Sequence, residues 1–534
     1  MQALSSSAQS IETTKKTFAM ISNSVRPLFD ILQSNYGPCG TYKMLVSGGG
    51  EIKITKDGGT LLGEMQIRNP ITSLIAKTVS MQETMAGDGT IALVLLISSL
   101  IMESEKFVMD GVHVSHIIEG ITMGIEYCQK IIQEMAIPVS LDRPLLIDIA
   151  KCSVATKIPG ELANLIAEQC VDAVHDIFDR QTMQLNLHMV EVMHMTHKTA
   201  RDTQLVRGIV MDHGGRHPNM PRELKDCFIL ISNVSFEYEK TEVNADVGYS
   251  SAQAREAMFK GEREFIDKRC QQVVDLKNQV CKGNQGFVVL TMGGIDTHSL
   301  DIFAKHNILG LRRVKRRNLE RLTLCCGGLV VNSTENLRPS NLGYAGHVKQ
   351  ISIGEENYTI VDQCKNPKSV TVLIKGPNQY TIDQMRDAIQ DGLMSTANAL
   401  VEQSALPGAC SFELTASRRL IDYAKKVSST NLKARIGVEI LSRALESLPK
   451  SLAQNAGFDA NSLILENQAI SSDEDARKTY YGVNIATGGL FVAADRGIYD
   501  SVRAKMMMLH ASNSIVRTFM SIDGVIKSAP SGMK

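Results

Sequence analysis

The sequence has no surplus of either charge: 57 Lys and Arg stand against 57 Asp and Glu over 534 residues. A dedicated nucleic-acid or anionic-membrane binder needs a basic excess, so only local patches remain open to those partners. Zero net charge also gives little protection against association, which suits a chain buried in an oligomer. No CxxC pair occurs among the eleven irregularly spaced cysteines, which read as reduced cytosolic thiols, mostly small core residues. No apolar run reaches the ~20 residues of a bilayer span. The longest, residues 91–102, is broken only by serines and reads as a buried helix. The first sixteen residues carry no basic start followed by an apolar stretch, so no secretory signal is visible and a cytoplasmic location is expected. No GxxxxGK[ST] occurs, which argues against a P-loop nucleotidase.

What is present is ordinary globular chemistry, with 43% hydrophobic and 21% charged residues. At ~150 residues per domain the length suggests about three or four domains, large enough to need no disulfide or metal staple. Helical spacing runs over residues 11–35 through Phe18, Ile21, Val25, Phe29 and Leu32, with Pro27 expected to kink or interrupt it. Residues 43–46 and 51–55, around Gly48-Gly49-Gly50, predict a hairpin. Helices are predicted over 73–85, 91–109, 114–135, 146–157 and 161–178, and a strand over 188–197. Residues 207–221, rich in Gly, His and Pro, read as a hinge or boundary. The centre alternates strands (227–234, 286–290, 328–332, 369–375) with helices (251–280, 381–403) in the manner of an α/β domain. Leu406-Pro407-Gly408 marks a further boundary. The tail predicts two short strands, 482–485 and 491–494, and a helix over 501–522. Two helical ends of similar style thus flank a different centre.

The strongest local signal is Ala86-Gly87-Asp88-Gly89-Thr90 between two helices. Its glycines allow close backbone approach, the helix start offers free N–H groups to phosphate, and Asp88 can hold a phosphate-bound Mg²⁺. The plain alternative is an Asp-Gly turn capping a helix. Residues 35–41 form a second close-approach loop, Lys56-Asp57-Gly58 a third turn, and Asp391 a carboxylate inside a long helix. Singly, each reads better as a turn or a solvated face. His194 and His197 fall on opposite faces of a strand and cannot chelate together, and His213 and His217 read as hinge-loop residues. The block Arg312, Arg313, Lys315, Arg316, Arg317 and Arg321 reads first as a charged helical face, with a nuclear signal, an RNA contact or a docking face for acidic client segments as alternatives. The methionines, Met506 to Met508 among them, read as core filler or a subunit contact.

Taken together, residues 35–91 and 391–495 resemble the group II chaperonins, the eukaryotic cytosolic t-complex ring called TRiC or CCT. The resemblance is carried by Gly37-Pro38-Cys39-Gly40-Thr41-Tyr42-Lys43-Met44-Leu45, Thr55-Lys56-Asp57-Gly58, Gly87-Asp88-Gly89-Thr90, Leu406-Pro407-Gly408-Ala409 and Gly482-Val483-Asn484. Longer matches at 53–58, 64–67, 212–214, 237–244 and 311–318 extend it over essentially the whole chain.

The resemblance implies a multidomain α+β chaperonin fold. Residues 1–142 and 407–534 would form a mostly helical equatorial domain. Residues 143–211 and 370–406 would form a small intermediate domain, and 212–369 an inserted α/β apical, substrate-binding domain. It implies an ATP-dependent chaperone, one subunit of a cytosolic hetero-oligomeric double ring of paralogous subunits. That ring would bind and fold unfolded proteins such as cytoskeletal clients, with no nucleic-acid or membrane partner. ATP and Mg²⁺ would be the cofactors. Gly37 and Pro38 would line the nucleotide, Asp88 would ligate Mg²⁺, and Gly89, Thr90, Ile91 and Ala92 would meet the phosphates. Thr156 and Lys157 would approach from the intermediate domain. Gly408 and Asp495 would sit at the ribose and base, with Asp500 nearby. Asp391 would orient or deprotonate the attacking water across a hinge from Asp88, assisted by Asp57. Three departures bear on activity: Ile91 replaces a usual Thr, Cys39 a usual Lys, and Cys410 a usual Gly. They leave open a catalytically weakened ring subunit that binds nucleotide but hydrolyses it slowly.

Overall fold

Phe18, Ile21, Val25, Leu28 and Leu32 are all buried along one face of the first helix, α1 (Thr14–Gln33). Their spacing is what places that face in the core. Pro27 does not interrupt α1, which runs on through it. Pro27 removes the N–H that would reach the carbonyl of Asn23, but both residues are exposed, so water can take that carbonyl while the buried face holds the helix. The computed structural model describes residues 14–140, 142–179, 184–238, 252–353, 356–364, 368–428, 431–470 and 479–524. The expected helical start at 11–13, most of the 237–244 match and the helical start at 251 lie outside them.

Contacts divide the chain into two compact units, Met1–Val171 with Asp383–Lys534, and Asp172–Ile382. The first is chiefly helical. It contains α1, α2 (Gly58–Glu64), α3 (Pro70–Ala86), α4 (Thr90–Met109), α5 (Val114–Met135), α6 (Arg143–Val154) and most of α7 (Gly160–Ile177). In the second unit lie α8 (Ala252–Val280), α9 (Thr297–Lys305) and α10 (Arg316–Cys326). The first unit resumes with most of α11 (Gln379–Glu402), then α12 (Ser411–Val427), α13 (Ala434–Asn455), α14 (Ala460–Ala469) and α15 (Val502–Met520).

The core of the first unit centres on α4, where Leu93 to Ile97, Leu100 and Ile101 are fully buried. The apolar run is therefore a core helix, and no described helix is long and apolar enough to cross a membrane. Small sheets pin the loops around this core. β1 (Lys43–Val46) and β2 (Ile52–Thr55) form the expected hairpin. β3 (Ile137–Pro138) belongs to a three-stranded sheet that is completed much later in the chain, as described below.

Among the described residues, the second unit carries two sheets. β4 (Val190–Thr196) and β5 (Gln204–Val206) flank a strand of the first of these; β6 (Ile209–Met211), β7 (Glu223–Ser232), β8 (Phe287–Thr291), β9 (Ile308–Leu311), β10 (Gly343–Ile353) and β11 (Glu356–Asp362) make the other. The strand between β4 and β5 is β12 (Val370–Gly376), parallel to β4 and antiparallel to β5. The six-stranded sheet has the order β6-β11-β10-β7-β8-β9 and is parallel only across β7, β8 and β9. All of β8 and β9 is buried, as continuous apolar strands require.

Two expectations fail here. Residues 207–221 are not simply a hinge: Ile209, Val210 and Met211 are fully buried in β6, paired with β11. Their three-residue run is too short to stand out among the surrounding Gly, His and Pro. Residues 328–332 form no strand. Only Val331 bridges to Ser232, because the positive φ of Gly327 and Gly328 breaks the extended backbone before it.

The basic block is largely neutralised within its own unit. Arg321 is fully buried and donates to Ser369 Oγ, Val370 O and Thr371 Oγ1. Arg317 pairs with Glu191, Lys315 with Asp212, Arg316 with Glu320 and Arg313 with Glu237. The charged-face reading holds for α10, with Arg321 as an interior brace.

In the first unit, β13 (Ser404–Pro407) lies between β3 and β16 (Tyr499–Ser501), so the expected boundary at 406–408 is a buried strand end. β14 (Tyr481–Val483) and β15 (Leu490–Val492) form the short tail hairpin. Helices α5 and α13 meet backbone to backbone where Gly120 faces Gly437. A Cβ on Gly120 would lie 1.9 Å from the Ala434 carbonyl oxygen, and one on Gly437 would lie 2.3 Å from that of Ile117. Gly437→Ala must push the helices apart and should destabilise the chain by about 1–3 kcal/mol. A urea unfolding midpoint equal to that of the unsubstituted chain would show that the crossing does not need glycine.

Candidate functional site

The turn between α3 and α4 is built by two left-handed glycines. Gly87 (φ +73°) ends α3, and Gly89 (φ +79°) caps α4. The space a side chain would take at Gly87 is filled by Met394 of α11, whose Cβ would lie 2.3 Å from an added Cβ. Asn398 of α11 also donates to the Ala86 carbonyl at 3.0 Å. These contacts seat α11 on the turn and bring Asp391, one helical turn before Met394, toward Asp88. Gly89 offers no side-chain cap, so the N–H groups of Thr90, Ile91 and Ala92 have no intrahelical acceptor.

A cavity of about 580 Å³ opens over this turn, wholly within the first unit. It gathers most residues expected of the site: Gly37, Pro38, Asp57, Asp88, Gly89, Thr90, Ile91, Thr156, Lys157, Asp391 and Asp500 all line it. Gly408 and Asp495 do not. Gly408 is buried beneath Ile498 and Asp500, and Asp495 is exposed on a short turn whose next residue, Arg496, lines the cavity instead.

Lys157 is the electrostatic centre. Its Nζ lies 2.8 Å from Asp57 Oδ1 and 2.5 Å from Asp391 Oδ2, with all three side chains almost entirely buried. Burial works against the lysine's charge, but the two carboxylates more than offset it and hold its pKa above the usual range. One cation cannot serve two carboxylates equally. Burial pushes Asp57 up, but Lys157 and the Thr60 N–H, which donates to Oδ2 at 2.7 Å as the cap of α2, bring it below its ordinary value. Asp391 has no such cap. Burial raises it well above the ordinary range, and the nearby charges of Asp57 and Asp88 add to that against the pull of Lys157. Asp88 is also raised, first by burial, although the Gly89 N–H donates to its Oδ1 at 2.6 Å. Of these three carboxylates, Asp57 holds its charge most firmly, and Asp88 and Asp391 take up a proton more readily.

Further residues line the cavity, and of these Lys505 was not legible as a site residue. Lys56 is buried, donates to the Pro38 carbonyl at 2.9 Å and has its pKa lowered by burial. It sets a positive charge beside the loop where Cys39 lacks one. Lys505 bridges Glu413 (2.6 Å) and Asp500 (3.0 Å). A lone charge on the buried face of α15 was the available signal for Lys505, whereas Glu413 shares the buried face of α12 with Arg418. Tyr36 Oη lies 3.3 Å from the Cys410 thiol, and burial raises both groups. Asn35, 1% exposed, lines the cavity with neither end of its amide bonded to protein.

That orphaned amide, the open α4 N-terminus and the volume fit a polar, phosphate-bearing ligand. Among the described residues no group of three or more His, Cys, Asp or Glu forms a metal site. A single carboxylate such as Asp88 is the donor that Mg²⁺ takes when phosphate oxygens and water complete its shell.

The model of the TCP-1/cpn60 chaperonin family matches residues 28–530, and the chain belongs to that family. It is thereby an ATP-dependent chaperone that works as a subunit of a ring complex. Over 535 aligned residues it is 42% identical to T-complex protein 1 subunit zeta-2 of Homo sapiens, covering 100% of this chain and 99% of the human protein. The Mus musculus protein of the same name is 40% identical over 537 residues, with both chains fully covered. The t-complex resemblance read from short motifs therefore holds over the full length and is of the zeta type.

Removing the shared cation leaves two buried carboxylates facing each other. Lys157→Met should cost about 3–5 kcal/mol in thermal unfolding, and adding Asp391→Asn should recover much of it. Equal losses in the single and double variants would show that the three residues are not coupled.

Proposed function

We propose that the cavity binds ATP with Mg²⁺ and hydrolyses it, so that this subunit contributes turnover to its ring rather than only holding a place in it. The observation that carries this reading is the Asp57–Lys157–Asp391 bridge, set in one cavity with Asp88 and the open end of α4. Asp88 would hold the metal, which neutralises charge on the phosphates when bound. The N–H groups of Thr90, Ile91 and Ala92 would receive phosphate oxygens. Replacing a Thr by Ile91 removes a hydroxyl but keeps the backbone donor. Gly37, Pro38, Asn35 and Asp500 would position the nucleoside.

Asp391 is the better general base of the two carboxylates. Asp57 is committed at both oxygens, to Lys157 and to the Thr60 N–H. Asp391 is held only through Oδ2 in the described contacts, and its raised pKa makes it the stronger proton acceptor. Lys157 orients it and is placed to release it when phosphate charge enters the cavity. Asp57 is then the positioning partner that retains the lysine.

Residues 1–142 and 407–534 are read as the equatorial part, 143–211 and 370–406 as the intermediate part, and 212–369 as the apical, client-binding part. The partners would be paralogous subunits of a cytosolic hetero-oligomeric double ring and unfolded protein clients. The family and the full-length zeta similarity support this reading.

A second reading has one observation behind it. Cys410 occupies a left-handed backbone position (φ +60°) where glycine is at ease, and its thiol lines the cavity. On that reading the nucleotide is crowded, hydrolysis is slow, and the subunit is mainly structural. Cys410→Gly separates the two: a several-fold rise in nucleotide affinity and turnover would favour the crowded site.

The central test is Mg²⁺-dependent ATP turnover of the assembled ring with Asp391→Ala in this subunit alone. We expect this subunit's share of turnover to fall by about 10²–10⁴-fold with nucleotide still bound. Unchanged turnover would assign the subunit a structural role. A carboxylate base works only when deprotonated. Because the pKa of Asp391 is raised, turnover should decline on acidification at a pH above the ordinary carboxylate value of about 4, and should recover on return. An acid limb at the ordinary value would exclude Asp391 as the base.

A further inference from the structure

The second unit holds a thiol cluster that the proposed hydrolysis does not use. α10 ends on Cys325 and Cys326, and Cys364 lies two residues beyond β11. The Cys326 and Cys364 sulfurs are 3.6 Å apart. Cys325, 2% exposed, donates to the Ser369 carbonyl at 2.8 Å and also lies against the Cys364 thiol. The chain turns sharply beside each member of the close pair. Gly327 (φ +73°) and Gly328 (φ +84°) follow Cys326, and Gln363 (φ +58°) precedes Cys364. A Cβ on Gly343 would lie 3.1 Å from the Cys326 Cβ, so β10 packs against the same corner. Two thiols from separate elements are thus held in contact within one unit. Cys326 is buried and Cys364 half-buried, so Cys364 is the more accessible residue of the pair.

We propose that Cys326 and Cys364 are a reversible disulfide-forming pair, oxidised by a hydroperoxide and reopened by a thiol reductant. The Cys325 contact lowers the Cys364 pKa, but the Cys326 contact and burial raise it further, so the thiolate is a minor species. That thiolate attacks a peroxide oxygen, the O–O bond breaks, and the departing hydroxide takes the proton that Cys364 released, leaving a sulfenic acid and one water. Cys326 sulfur then attacks the Cys364 sulfur. The S–S bond forms, the S–O bond breaks and a second water leaves with the remaining thiol proton. Two thiols and one hydrogen peroxide become one disulfide and two waters. The bond would tie the end of α10 to the end of β11 across 38 positions of sequence that include β10. Its main effect is to restrict the unfolded chain, so oxidation should raise the stability of this unit.

The experiment uses the full-length chain carrying Cys325→Ser, so that linkage can be assigned between neighbouring cysteines. Hydrogen peroxide is added, free thiols are blocked with N-ethylmaleimide, and a non-reducing digest is read by mass spectrometry. The expected result is a peptide pair joined through Cys326 and Cys364, two hydrogens lighter than its parts and lost on adding dithiothreitol. Cys326→Ser and Cys364→Ser should each abolish it. Should a variant not fold, the unsubstituted chain should still lose two titratable thiols reversibly and gain several degrees in its unfolding midpoint. Sulfinic acid on Cys364 without a cross-link, linkage to another cysteine or linkage between chains would each overturn the proposal.

Discussion

A buried lysine shared by two buried carboxylates organises the site. Lys157 cannot lose its proton in that setting, and neither carboxylate can be left alone without a large desolvation penalty. The consequence is an asymmetry. Asp57 has a second donor in the Thr60 N–H and stays ionised, so the proton-seeking character falls on Asp391. The two aspartates have the same side chain and the same cation. Their roles differ because one is a helix cap and the other sits inside a helix.

The position of that triad depends on backbone as much as on charge. α11 approaches the α3–α4 turn only because Gly87 presents no side chain to Met394. The turn that makes room for α11 is also the one that leaves the start of α4 without a side-chain cap. Close packing and an uncapped helix start are therefore consequences of the same two glycines. Lys56 and Lys505 show the same economy, since each is buried by the fold and each sets a positive charge at the cavity wall.

Much of this was legible in the amino-acid order. The period of apolar residues predicts α4 and α5 closely, and the Gly-Asp-Gly-Thr turn marks the α3–α4 corner over which the cavity opens. Pro27 misled because the rule for a proline inside a helix assumes that a freed carbonyl is costly, whereas that of Asn23 belongs to an exposed residue. β6 was hidden because three apolar residues among glycines carry too little periodicity to register. Glu413 and Lys505 were invisible as a pair because they meet across 92 positions.

The sequence by itself determined most of the element types, the helical ends around an α/β centre and the family. It did so because periodicity, turn residues and local motifs are short-range properties. Only the tertiary structure decided that Asp391 is buried rather than a solvated helix residue, that one lysine joins it to Asp57, and that Cys326 meets Cys364. It also decided that Arg496 rather than Asp495 faces the cavity. Burial and pairing are set by segments that meet only after folding, so the charge state of each group depends on partners far away in the chain.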